Sequence, residues 1–166
     1  LKYLTIVLKW IFWLVVAMGV ARAMAIIILS KLRKPHPTRV KVAKPAVSVL
    51  IPAFCEATVI EKTVNAVLAS DYANFDVIVV DDGSTDDTFA VLQQHFGQNP
   101  SVKLLHKENG GKSSALNLGV INSDAEIVRA IDADTMIMPD AIEMLVHHFS
   151  DRRIGAVAGN VKVGNR

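Results

Sequence analysis

The sequence predicts an α/β fold, a mostly parallel sheet with flanking helices, preceded by one transmembrane helix. Three observations carry that expectation. Apolar residues dominate the first thirty positions, short β-branched runs alternate with amphipathic stretches after Val47, and acidic or glycine-rich residues stand where the apolar runs end. The 166 residues are 51% hydrophobic, enough for one domain with a core plus an extra segment. A formal net charge of only +2 gives no overall field suited to nucleic acid. The one cysteine, Cys55, excludes an internal disulfide and fits a reducing compartment. The chain starts at Leu1 rather than Met and stops at Arg166 without an evident end signal, so it reads as a piece of a longer protein.

Trp10 to Leu29 is apolar apart from Arg22. As a helix this stretch rises about 30 Å, the thickness of a hydrocarbon core. Arg22 is the awkward member, at roughly 2.5–3.5 kcal/mol for a helix centre. Snorkelling, a partner helix or a span shifted toward Leu4 would each accommodate it. A signal peptide fits less well, because the run is long and no small-residue cleavage site precedes the basic stretch. A buried core helix also fits less well, since every face is apolar. Lys31, Arg33, Lys34, Arg39, Lys41 and Lys44 follow the span, against Lys2 and Lys9 before it. The positive-inside rule then puts everything after residue 30 in the cytoplasm, at a cell (inner or plasma) membrane. Pro35, Pro37 and Pro45 make 31–46 an extended basic linker, able to touch anionic lipid headgroups. Residues 1–30 are thus the expected anchor.

From Val47 the pattern predicts strands at 47–53, 75–81, 101–106, 125–132 and 154–163. Helices are expected at 57–70, 86–96, 112–122 and 139–149. Such alternation implies right-handed crossovers and a largely parallel sheet. Ligands of these sheets gather beyond the carboxyl ends of the strands. There the sequence puts Ala53 and Glu56, then Asp81, Asp82 and Gly83, then Gly110, Gly111 and Lys112, and finally Asp132 and Asp134.

Asp132 and Asp134 lie two residues apart after an apolar run, so an extended exit would aim both carboxylates to one side. Two hard oxygen donors suit Mg2+ or Mn2+, which completes its shell with phosphate and water. A turn before the next helix is the competing reading, and the neighbouring motifs favour the metal. Ser84 and Asp87 have capping-box-like spacing, with Asp in place of the usual Glu or Gln, and Gly83 permits a tight turn. That leaves Asp81 and Asp82, one of which is expected to accept from a base N–H or a ribose hydroxyl. Gly110-Gly111-Lys112-Ser113 suggests a phosphate cradle, with a plain loop as the alternative. It is not a Walker A loop, whose first glycine would fall at His106, and no dinucleotide fingerprint is present. The five histidines are expected to be structural or at the surface, and Cys55 to be a small packed residue.

Taken in order and spacing, IPAFCEA, VVDDGSTDDT, NGGKSSALNLG, IDADT and AVAGNVKVGNR resemble family 2 glycosyltransferases of the GT-A fold. More narrowly they look like processive membrane synthases of β-linked polysaccharides, especially those of poly-N-acetylglucosamine, chitin and hyaluronan. The resemblance runs from about Val47 to the end, making 47–166 the N-terminal, nucleotide-sugar-binding part of a GT-A domain. It implies that Asp82 binds the uracil ring, with Ala53, Glu56 and Lys112 lining the nucleotide. Asp81 is counted with them. It also implies that Asp132 and Asp134 hold ribose and the metal–diphosphate, and that Gly159 and Asn160 begin the region lining sugar and acceptor. The expected partners are a UDP-sugar, UDP-GlcNAc above UDP-glucose or UDP-glucuronate, a polysaccharide acceptor, membrane lipid and an accessory membrane subunit. Cys55 departs from the asparagine usual in the family after the aromatic residue. The implied reaction is an inverting displacement at the anomeric carbon. Its catalytic aspartate and a Q-x-x-R-W segment do not appear by Arg166, so no catalytic base is expected among these residues. Two rivals remain: a haloacid-dehalogenase-type phosphohydrolase with Asp132 as nucleophile and Asp134 as acid/base, and a non-catalytic nucleotide-sugar-binding membrane subunit.

Overall fold

The computed structural model describes residues 2–32, 44–151 and 153–160. It forms two compact units, Leu1–Thr38 and Arg39–Arg166. In the first, the apolar run folds as α1 (Lys2–Leu32), which includes the expected Trp10–Leu29. Ile6–Ile28 is long and apolar enough to cross a membrane, and its 23 residues rise about 35 Å as a helix. The linker expected at 31–46 falls for the most part outside the described residues, and α1 takes its first two positions.

In the second unit, β-branched runs and helices alternate as predicted. The order is β1 (Val47–Ala53), α2 (Ile60–Leu68), β2 (Phe75–Asp81), α3 (Thr88–Phe96), β3 (Val102–His106), α4 (Lys112–Ile121), β4 (Ile127–Ala130) and α5 (Ala141–His148). The sheet order is β3-β2-β1-β4 and every pairing is parallel. β1 is buried along nearly all its length, as a central parallel strand covered on both faces must be. Alternation divides the side chains between two layers. Val47, Val49, Ile51, Val77 and Val79 pack with α2, α3 and α5, whereas Leu50, Ile78 and Val80 pack with Ala115 of α4.

Register then aligns the strand ends. Ala53 lies opposite Asp81, and Asp81 opposite His106. Leu50 lies opposite Ala130, and the Ile131 N–H still donates to the Leu50 carbonyl at 3.0 Å. The residues after β4 therefore leave beside the end of β1. Chain order reverses between β1 and β4, which makes this crevice the switch point where parallel sheets bind ligands.

Two expectations change. No strand forms over 154–160, and 161–163 lie outside the described residues. Gly155, Ala156, Ala158 and Gly159 offer little side chain to pack on a pleated surface. The Ser84–Asp87 capping box is also absent. Asp87 makes no side-chain cap; instead Asp86 accepts the Thr88 N–H at 3.0 Å and the Ala57 N–H at 3.3 Å. One acidic side chain so ties the start of α3 to the turn before α2. Ser84 turns its hydroxyl to Asp81 instead.

Gly83 does fill the tight turn, at φ 72. A Cβ there would lie 2.6 Å from the Asn109 backbone nitrogen, so both backbone angle and space demand glycine. Gly83→Ala is expected to lower stability by about 1–3 kcal/mol, read as a drop in the thermal midpoint. An unchanged midpoint would refute the crowding against Asn109.

Candidate functional site

Asp81 and Asp82 are neighbours on an extended strand, so their side chains face opposite sides of the sheet. Asp81 turns to the α3 side and is fully buried. Its Oδ1 accepts the Ser84 hydroxyl, and its Oδ2 lies 2.6 Å from His106 Nδ1, whose ring rests on Phe89. A ligand does not reach this carboxylate; it braces the edge from within. His106 is structural, in keeping with expectation. Asp82 turns to the α4 side and is 4% exposed. Its Oδ1 accepts Lys107 Nζ at 2.6 Å and the Gly110 N–H at 3.1 Å, and its Oδ2 accepts the Gly111 N–H at 2.7 Å. The Lys107 hydrogen bond, helped by both glycine amides, holds the Asp82 carboxyl below the usual aspartate range against the opposing effect of burial.

The phosphate cradle expected at Gly110-Gly111 is therefore corrected. Those N–H groups are spent on Asp82, because a buried carboxylate needs donors more than an exposed loop does. Gly111, at φ 84, turns the chain into α4, whose first turn has no side-chain cap. Lys112 begins that helix and its ammonium pairs with Asp132 Oδ1. Both side chains are more than half exposed, 60% and 57%, so the pair is open to solvent and to ligands.

The extended exit expected at Asp132–Asp134 is also corrected. The chain turns there, with the Thr135 N–H donating to the Asp132 carbonyl at 3.0 Å. Ala133 is the cause. It is buried at 5% exposure, and its carbonyl accepts the Thr63 hydroxyl of α2 at 2.7 Å. Pulling Ala133 into the core leaves both flanking carboxylates outside. Among the described residues no three His, Cys, Asp or Glu side chains gather as a metal set. Asp132 and Asp134 thus fit a divalent cation only where phosphate and water supply the other ligands.

Ala53 is buried, and its carbonyl accepts the Asp82 N–H at 2.9 Å. Glu56 is half-buried, and its N–H donates to the Thr88 hydroxyl oxygen at 2.8 Å. Cys55 stands between them at φ 57, exposed rather than packed as the sequence led one to expect. Gly159 and Asn160 are exposed, and Gly159 lines a cavity of about 360 Å3 between β4 and α5 whose walls include Asp132. Arg129 also lines it, with a buried Nη1 that has no hydrogen-bond partner. Burial lowers the Arg129 guanidinium below its ordinary value. Sequence reasoning missed Lys107 and Arg129. The rule that selected Asp82, charge at the carboxyl end of a strand, selects Lys107 equally. Nothing in the sequence marks Arg129, since an arginine on a short strand ordinarily reaches solvent.

The arrangement is an edge with one buried acceptor, one exposed ammonium at a helix start and two exposed carboxylates. Residues 48–166 match Glycosyl transferase family 2. The chain belongs to that family. The phosphohydrolase reading of Asp132 and Asp134 lapses with it. The chain is 34% identical to the chondroitin synthase of Pasteurella multocida (strain Pm70) over 114 residues, 68% of this chain and 12% of the relative. It is 32% identical to the poly-beta-1,6-N-acetyl-D-glucosamine synthase of Staphylococcus aureus (strain COL) over 121 residues, 72% of this chain and 29% of the relative. It thus spans under a third of the length of these relatives. Among solved structures, a mannosyltransferase from Pyrobaculum calidifontis, in complex with GDP-Man and Mn2+, superposes with TM-score 0.72 at 28% identity, over 84% of this chain and 44% of that one. The TarS protein of S. aureus shares the fold at TM-score 0.58, over 65% of this chain and 33% of that one. The GT-A-like fold expected of the sequence is thereby present.

Two outcomes are expected of this geometry. A φ of 57 is a conformation asparagine adopts more readily than cysteine. Cys55→Asn should stabilise the domain by up to about 1 kcal/mol, and a lower thermal midpoint would contradict the backbone argument. Asp82, through its hydrogen bond from Lys107, and Asp86, through its hydrogen bond from Thr88, are both held below the ordinary aspartate range in the fold. Depressed carboxylates contribute stability above their unfolded pKa of about 3.9, and that stability is lost as pH falls through the folded values. The urea midpoint should therefore fall below about pH 4, and a midpoint that rises on acidification would reverse the assignment.

Proposed function

We propose that the carboxyl edge of this sheet is the donor site of a polysaccharide synthase, holding UDP-GlcNAc for transfer to a growing β-linked chain. The Lys112–Asp132 pair is the observation that carries the reading. It sets an open ammonium and an open carboxylate side by side at the switch point, where a charged diphosphate can exchange with the pair. Asp82 faces the base, with Ala53 and Glu56 along the same rim and Asp81 bracing it from below. Lys112 and the uncapped start of α4 face the diphosphate. Asp134, with Asp132, would hold Mg2+ or Mn2+, which supplies positive charge against the departing diphosphate. Lys112 adds to that electrostatic stabilisation. Gly159 and Asn160 flank the sugar and acceptor side.

The likeness to the poly-beta-1,6-N-acetyl-D-glucosamine synthase supports GlcNAc. The Mn2+ and GDP-Man of the mannosyltransferase support a metal-bound nucleotide sugar. We assign the base that deprotonates the acceptor hydroxyl to the part of the relatives' length that this chain does not span. In the same reading residues 1–30 anchor the protein in the cell membrane and 31–46 link it to a cytoplasmic domain at 47–166, beside lipid and an accessory membrane subunit.

Calorimetric titration of the detergent-solubilised chain with UDP-GlcNAc, with and without Mn2+, tests the site. Binding should require Mn2+, and Asp134→Ala should weaken it at least about tenfold, some 1.4 kcal/mol. Binding that ignores the metal, or survives Asp134→Ala unchanged, would remove the metal role.

A further inference from the structure

Lys107 stands just past β3, and its backbone N–H donates to the Asp81 carbonyl at 3.1 Å, which continues the β2–β3 ladder by one residue. The side chain turns to the α4 side of the sheet and is 22% exposed. Its ammonium bonds Asp82 Oδ1 and the Glu108 carbonyl. It lies over Gly110, where a Cβ would come within 2.8 Å of Nζ.

An ionised carboxylate offers about four acceptor positions, two on each oxygen. Lys107 and Gly110 fill Oδ1, and Gly111 takes one position on Oδ2. One position on Oδ2 remains, on a side chain 5% exposed. That opening admits a single small donor. Its hydrogen-bonding sense depends on charge: the carboxylate accepts an N–H, whereas the neutral acid can present an O–H to a bare ring nitrogen. Two amide donors alone leave a buried carboxylate without a counter-charge, a state that burial disfavours. Lys107 supplies the counter-charge.

We propose that Lys107 is a positioning residue for base recognition, holding Asp82 ionised and aimed so that its one free acceptor selects a base with a ring N–H, uracil over cytosine. The inference rests on the donor-site reading above and adds to it the residue that sets base choice. Lys107 itself touches no ligand.

Titration of the full chain in detergent with UDP and with CDP, both with Mn2+, tests it. The unaltered chain should favour UDP. Lys107→Met should weaken UDP about tenfold, the worth of a hydrogen bond to a charged group, and bring the two affinities close together. Lys107→Arg, which keeps the charge and the donors, should restore the preference. Should the Met variant not fold by circular dichroism, Lys107→Gln carries the same comparison, since it keeps a donor and removes the charge. Equal weakening of UDP and CDP would make Lys107 a merely structural lysine and overturn the proposal, as would unchanged UDP affinity. Binding of neither nucleotide by the unaltered chain would remove the donor-site reading, and this inference with it.

Discussion

A charge buried beneath the carboxyl edge of the sheet must be satisfied before that edge can have a shape. Asp82 is that charge. Its carboxylate gathers Lys107, Gly110 and Gly111, and so draws the whole 107–111 loop down onto the exit of β2. The start of α4 then has no freedom in where it begins, and Lys112 comes to rest within reach of Asp132. Gly83 and Asn109 are pressed together by the same closure. An uncompensated carboxylate at this depth would cost more than the loop can recover elsewhere.

The layers of the fold were legible because their signal is periodic. The four strands and four helices of the domain follow runs such as VSVLIPA and ATVIEKTVNAVL, whose spacing differs between strand and helix. Boundaries moved by one to three residues where local hydrogen bonds intervened, as when the Glu56 carbonyl takes the Val59 and Ile60 N–H groups and delays α2. The strand at 154–163 did not appear over its described part, where the small residues Gly155, Ala156, Ala158 and Gly159 surround the branched Ile154 and Val157.

The candidate site was legible as a set of residues and much less so as a geometry. Position relative to strand ends was enough to name Asp82, Lys112, Asp132 and Asp134. Which donors Asp82 and Asp132 receive depends on residues 20 to 29 positions away, and periodicity carries no such information. That is why the glycine amides looked free for phosphate, and why Asp81 and Asp82 looked equivalent. Their opposite orientation follows from strand geometry alone and could have been read. The burial of Ala133, which bends the chain between the two aspartates, depends on Thr63 of α2 and could not.

The register of β4 has a kinetic consequence. Val47 pairs with Ile127, residues 80 positions apart, whereas β2 and β3 pair across about 25. Closing the longer loop loses more chain entropy and rewards it with only four residue pairs. The Asp82–Lys107 cluster is thus built from contacts near in sequence, and Asp132 depends on the most distant strand pairing in the sheet. By contact order, the half of the edge built on Asp82 and Lys107 assembles first, and the half that carries Asp132 and Asp134 arrives with the last strand to dock.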